Sequence, residues 1–217
     1  MKKIMILMLL LPLIAHAQFN KGDLFFGGSL GGQTQGSVGF VSNTSILNSF
    51  NVGPEVGYFV NEKWAVGASV AYAHSNQLED QVQTPYVYHI HNFSYSISPG
   101  FLVRRYFIIS DKFLFLLEGG VSYSRSNETQ VYETTNSTNP GTTTTTSSDY
   151  PEYSVAVTVR PLFIFFPTPN WGFEAGLGSL AWSHAQYLFD NASQNTLTLS
   201  HTGLTSIGIF YYLRKKN

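Results

Sequence analysis

Asn92-Phe93-Ser94-Tyr95-Ser96-Ile97-Ser98-Pro99-Gly100-Phe101-Leu102-Val103-Arg104, followed after the break Ser110-Asp111-Lys112 by Phe113-Leu114-Phe115-Leu116-Leu117-Glu118-Gly119-Gly120-Val121-Ser122-Tyr123-Ser124, decides the fold. In the first arm Phe93, Tyr95, Ile97, Pro99, Phe101 and Val103 share one parity, and Asn92, Ser94, Ser96, Ser98, Gly100 and Arg104 share the other. The second arm repeats this with Phe113, Phe115, Leu117, Val121 and Tyr123 against Glu118, Gly120, Ser122 and Ser124. Successive side chains of a strand point to opposite faces, so each arm has one greasy and one small, polar face. A soluble sandwich strand turns its polar side to water and fills it with Lys, Glu and Thr. Ser, Gly and Ala instead suit the cramped inside of a narrow barrel, and a wall of Phe, Tyr, Ile and Val suits lipid. Segments of roughly 10 residues with this alternation, separated by turn residues, predict a transmembrane β-barrel.

The alternation extends in both directions. A first strand is expected over Asp23–Gly32. A second carries Phe50, Val52, Pro54, Val56, Tyr58 and Val60 outward, and a third, after Asn61-Glu62-Lys63, carries Trp64, Val66, Ala68, Val70 and Tyr72. Beyond the central hairpin, Tyr153, Val155, Val157, Val159, Pro161, Phe163 and Phe165 mark a sixth outer face, and Trp171, Phe173, Ala175 and Leu177 a seventh. The phase slips near Ser179, where Leu180 and Trp182 fall on the other parity, which predicts a bulge. An eighth strand ends in Ile207, Ile209, Tyr211 and Leu213. The fold class is therefore all-β: an eight-stranded antiparallel up-and-down transmembrane barrel. Pro54, Pro99 and Pro161 cannot donate to the ladder, so bulges or kinks are expected there.

Connections after the even strands are short, and those after the odd ones are long and polar, covering 75–88, 127–149 and 185–200 among others. The Thr-, Ser- and Asn-rich 127–149 lacks apolar residues to offset its ordering entropy and reads as a mobile loop. Outer-membrane barrels pair short periplasmic turns with longer external loops.

Lys2-Lys3, an apolar run from Ile4 to Ile14, and Ala15-His16-Ala17 form a secretory signal expected to be cleaved after Ala17. Residues 18–217 then form one barrel domain. A net charge of −1 and only 12% charged residues argue against nucleic acid as a partner. The absence of cysteine removes disulfides and thiolate metal sites.

On these features the chain resembles the small eight-stranded outer-membrane β-barrel proteins of Gram-negative bacteria, the porin-like or OmpA/OmpX-like barrel domain family. The resemblance implies an outer-membrane location, contact with outer-membrane lipid, and insertion by the barrel-assembly machinery. Its most specific part is the last strand, where Ser206, Gly208, Tyr211 and Leu213 match a carboxy-terminal insertion signal, although Arg214-Lys215-Lys216-Asn217 follow where family members commonly stop at an aromatic.

The inward parity carries Glu55, Arg104, Glu118, Arg160 and Glu174, all near mid-barrel. With Arg104 diagonal to Glu118 and Arg160 diagonal to Glu174, they predict a structural plug of ion pairs. His74, His89, His91, His184 and His201 fall at external strand ends; a rim metal site could be built from His89, His91 and His74, but no acidic or cysteine partner shares the spacing, so neither metal nor cofactor is expected. Some barrels of this kind are lipid A deacylases or palmitoyl transferases. The deacylase pattern sets His and Ser two apart, whereas His74-Ser75 and Ser183-His184 are adjacent and face opposite ways, and an omptin-like protease would need more strands. The expected function is non-enzymatic, structural or surface-interaction, without a wide pore and with an external ligand or protein at 127–149 and 185–200. The alternatives are a lipid-modifying enzyme and a secreted lipocalin-like carrier, which would have a greasy inside.

Overall fold

The computed structural model describes residues 19–38, 44–83, 85–136, 143–200 and 206–215. The expected signal segment and His201 lie outside them. Ten strands follow in order: β1 Leu24–Val38, β2 Thr44–Phe59, β3 Trp64–Gln83, β4 Tyr86–Ile108, β5 Phe113–Asn136, β6 Thr143–Phe165, β7 Trp171–Gly176, β8 Ser179–Tyr187, β9 Ser193–Ser200 and β10 Ser206–Leu213. Each of β1 to β6 pairs antiparallel with the next. β7 and β8 both lie on β6, β9 lies on β8, and β10 on β7. β10 then pairs with β1, which closes the ring. Because β7 with β8, and β9 with β10, are successive stretches of single staves, ten strands make an eight-stave up-and-down barrel.

The break between β7 and β8 is the bulge. Leu162 pairs with Gly176, whereas Val159 pairs with Leu180, so the seventh stave has gained one residue against β6. Gly178 takes it up at φ 137°, a conformation closed to residues with a Cβ. One inserted residue exchanges the two faces, which is why Leu177 and then Leu180 and Trp182 all point outward. Pro54 and Pro99 act differently. Pairing lapses for two residues at each, between Val52 and Glu55 and between Ile97 and Gly100, but the register on either side is unchanged, so no bulge forms there. Pro161 stays paired with Leu117, and its carbonyl accepts the Leu177 N–H beside the bulge.

Three tight turns close one end. Each contains a side-chain acceptor that holds the start of the next strand: Asn61 Oδ1 accepts from the Lys63 and Trp64 amides at 2.9 and 3.0 Å, Ser110 Oγ from Phe113, and Thr168 Oγ1 from Trp171. At the other end the structure corrects the sequence reading. The segment 75–88 is strand except near its tip, 127–136 and 143–149 are the paired upper parts of β5 and β6, and 193–200 is β9. Strands of up to 24 residues rise well beyond the apolar zone. Side chains there are wet on both faces, so alternation disappears from the sequence while Thr-rich pairing, such as Thr134 with Thr144, keeps the ladder.

The outward parity is apolar and exposed through the turn-side half of the barrel, Phe101 reaching 78% exposure. Aromatics bound this belt on both sides. Near the turns lie Tyr58, Trp64, Phe107, Phe113, Phe165, Trp171 and Tyr211, with Phe113 against Phe165 and Trp171 against Tyr211. Farther up lie Phe50, Tyr72, Tyr95, Tyr123, Tyr153 and Trp182, with Tyr123 stacked on Tyr153. Such girdles flank the lipid-facing band of membrane barrels.

The lumen is layered, and its lowest layer departs from the expected small, polar lining. Phe25, Phe59, Tyr106, Leu114, Phe166, Phe210 and Tyr212 are buried there. Phe19, from the segment preceding β1, enters the turn-side mouth and lies 4.1 Å from the Phe59 ring, 5.0 Å from Tyr106 and 5.3 Å from Tyr212. Aromatic rings close this mouth because the tight turns cannot cover it.

Candidate functional site

Above the aromatic floor, neighbouring staves place five charges at one height. Arg104 on β4 is directly opposite Glu118 on β5, and Glu118 is directly opposite Arg160 on β6. Glu55 and Glu174 come from β2 and β7 on the other side of the lumen. Arg104 is wholly buried and serves all three carboxylates: its Nε donates to Glu118 at 2.8 Å, Nη1 to Glu174 at 3.0 Å, and Nη2 to Glu55 at 2.6 Å and to Glu174 at 3.2 Å. Arg160, with 26% of its side chain exposed, donates from Nε to Glu118 at 2.6 Å and from Nη2 to Glu55 at 2.8 Å. The two arginines and Glu55 and Glu118 thus alternate in a closed ring. Glu174 hangs below it, held by Arg104 and by the Tyr212 hydroxyl at 3.0 Å.

All five inward charges meet; the expected Arg104–Glu118 pair forms, though directly across the ladder rather than diagonally, whereas the expected Arg160–Glu174 pair does not. Among the described residues Arg160 makes no hydrogen bond or ion pair with Glu174, which lies opposite Ile164. Glu174 lies on the turn side of the bulge, where the register carried up from the tight turn sets it four residues along β6 from Arg160 and beyond diagonal reach.

Two rings complete the setting of Arg104. Phe25 and Phe210 face its guanidinium carbon at 4.5 and 4.7 Å from their centroids. They fit because their neighbours lack side chains: a Cβ on Gly27 would strike the Ile209 carbonyl and the Phe210 ring, and one on Gly57 would strike the Phe25 ring. Both glycines lie on the inward parity, yet neither Phe was part of the expected site.

Above the ring opens a cavity of about 290 Å³, with Ser29, Asn51, Ser69, Ser122 and Thr158 on its wall and Glu55, Glu118 and Arg160 at its floor. It faces the long-strand end.

The histidines stand apart on the upper sheet. His89 Nδ1 is 2.6 Å from Asp80 Oδ1, an acidic partner within the segment 75–88 that reads as a loop from sequence alone. His91 Nε2 bonds Asn76 at 2.8 Å, and His74 lies against Phe50. Among the described residues no three His, Cys, Asp or Glu side chains are grouped to hold a metal ion. Ser75 points inward to Ser94 while His74 faces outward. In β10, Gly208 is inward, and Tyr211 and Leu213 are outward in the turn-side girdle.

No family model matches the chain, and no curated protein does. Among solved structures it is similar to the outer membrane protein OprG of Pseudomonas aeruginosa, at 10% identity and a TM-score of 0.47, over 92% of this chain and 99% of that one. A major outer membrane protein of Thermus thermophilus aligns over 88% of this chain and 99% of its own, at 10% identity and a TM-score of 0.46. Neisserial surface protein A aligns over 88% and 96%, at 15% identity and a TM-score of 0.40.

Proposed function

We propose that the chain is an integral outer-membrane barrel with a side-chain-filled lumen, serving a structural or surface-interaction role without catalysis. The observation that carries this is the inverted polarity of a closed barrel: charges and hydroxyls inside, and a continuous apolar belt between two aromatic girdles outside. An exposed apolar surface of this extent is unstable in water and matches a hydrocarbon slab. The turn end faces the periplasm, and the long upper sheet, rich in Thr, Ser and Asn, faces outward. Its surfaces around 127–136, 143–149 and 185–200 present hydroxyls and amides to an external ligand or protein. Ser206, Gly208, Tyr211 and Leu213 serve the assembly machinery during insertion.

The mature chain, folded in detergent, should migrate on gels differently before and after boiling, show β-type circular dichroism and co-float with lipid vesicles. Identical mobility with coil or helical dichroism, or a chain that stays soluble without detergent, overturns the proposal; the second outcome favours the carrier. Lumen closure predicts no steady nanosiemens conductance in planar bilayers, because water-filled channels belong to barrels of about 16 to 18 strands.

A further inference from the structure

Between and within the two girdles, the described outward-facing side chains include just two charges, and both are arginines. Arg105 on β4 faces outward opposite Trp64, its guanidinium carbon 4.8 Å from the Trp64 ring and 5.5 Å from the Phe107 ring. Arg125 on β5 faces outward opposite Tyr153, with its guanidinium carbon 5.7 Å from that ring. Neither makes an ion pair or hydrogen bond among the described residues, although every other arginine within the barrel wall is saturated with carboxylates. The nearest outward acid to Arg125, Asp149, is two rows higher and is bonded to Thr129.

Their heights are informative. Arg125 shares a row with Ile97 and, through it, with Tyr72, whereas Arg105 shares one with Trp64, so the two rows are eight residues apart on both β3 and β4. At about 3.3 Å per residue and a tilt near 40°, this separates them by roughly 20 Å along the membrane normal. Long side chains that snorkel away from the apolar zone widen the gap toward the thickness of a hydrocarbon core, ~30 Å. Each stacked, unpaired guanidinium therefore lies where the lipid headgroups of one leaflet begin. A planar fork of N–H donors matches phosphate oxygens, and stacking fixes its plane.

We propose that Arg105 and Arg125 are lipid-phosphate contacts, one per leaflet, that set the depth of the barrel in the bilayer. This rests on the membrane-spanning reading, and the test separates the two. The full mature chain, carrying ¹⁵N-labelled arginine, is folded into vesicles of phosphatidylglycerol, of a phosphorylated glucosamine lipid mixed with phosphatidylcholine, or of a phosphate-free galactolipid. Insertion is scored by co-flotation and β-type dichroism, and guanidinium-to-phosphorus proximity by ³¹P-dephased nitrogen spectra. Arg105→Gln, Arg125→Gln and the double variant, all surface changes, identify the signals among the five arginines of the chain.

The expected result is strong dephasing of both guanidiniums in at least one phosphorylated bilayer, lost singly and then together in the variants, and none in galactolipid. The phosphorylated lipid that supports it identifies the source. Chain that fails to float overturns the membrane reading. Inserted wild type whose dephasing equals that of the inserted double variant in both phosphorylated bilayers overturns this proposal and leaves the barrel standing.

Discussion

Arg104 is the residue on which the lumen turns, since one fully buried guanidinium satisfies three carboxylates and is clasped by two aromatic faces. Removing it strands Glu174, which has no other cationic partner among the described residues, and leaves Glu55 and Glu118 to share Arg160, so Arg104→Met should cost about 3–5 kcal/mol. Glu118→Leu should cost less, because each arginine keeps another carboxylate. A double-mutant cycle on unfolding in detergent should show coupling of at least about 1 kcal/mol, and additive single effects would sink the ring as an energetic unit. Arg104→Lys should rescue little, as a point charge cannot present the fork. Gly27→Ala should cost about 1–3 kcal/mol, because the new methyl meets backbone on one side and a ring already packed on Arg104 on the other. Inward charge was legible in the sequence from parity alone. Who pairs with whom was not, because Arg104 and Arg160 reach acids on non-adjacent staves, and pairing across a lumen depends on how the sheet closes, which no single strand records.

At the scale of elements, the seventh stave shows how one residue keeps two half-strands facing correctly. Gly178→Ala forces a Cβ into φ 137° and should destabilise the barrel by about 1–3 kcal/mol, measured as the unfolding midpoint in detergent. The phase slip was visible in Leu180 and Trp182. The upper sheet was not visible, because alternation records a difference between two environments and water on both faces leaves none. In that sheet Glu152 lies diagonal to Glu128, and burial together with the Glu128 charge raises its pKa above the ordinary carboxylate value. The folded state then holds this proton more tightly than the unfolded chain does. Local stability of the β5–β6 extension should therefore fall as pH rises from about 4 through the raised value. Amide exchange of 126–128 and 150–152 across that window should show it, and Glu152→Gln should flatten the response.

For the whole molecule, the apolar belt and the eight-stave count were readable because bilayer thickness and stave number are imposed repeatedly along the chain. The aromatic floor was not, since Phe19 precedes every strand and the inward phenylalanines of β1 and β10 broke the expectation of a small-residue lining. The layering can be mapped directly, because the chain contains no cysteine of its own. A thiol at Ser69, on the cavity wall, should react with a small charged methanethiosulfonate reagent added to the long-strand side; one at Ala65, fully buried two inward positions nearer the turns, should not. Equal reactivity at both positions would show that the charged ring and the rings beneath it do not seal. With the proposed seal in place, the upper cavity would be a cul-de-sac: whatever diffused in would have to leave by the same mouth. Such a vessel would hold or present a small polar solute without relaying it, and its occupancy would follow the external concentration alone, indifferent to any gradient across the membrane.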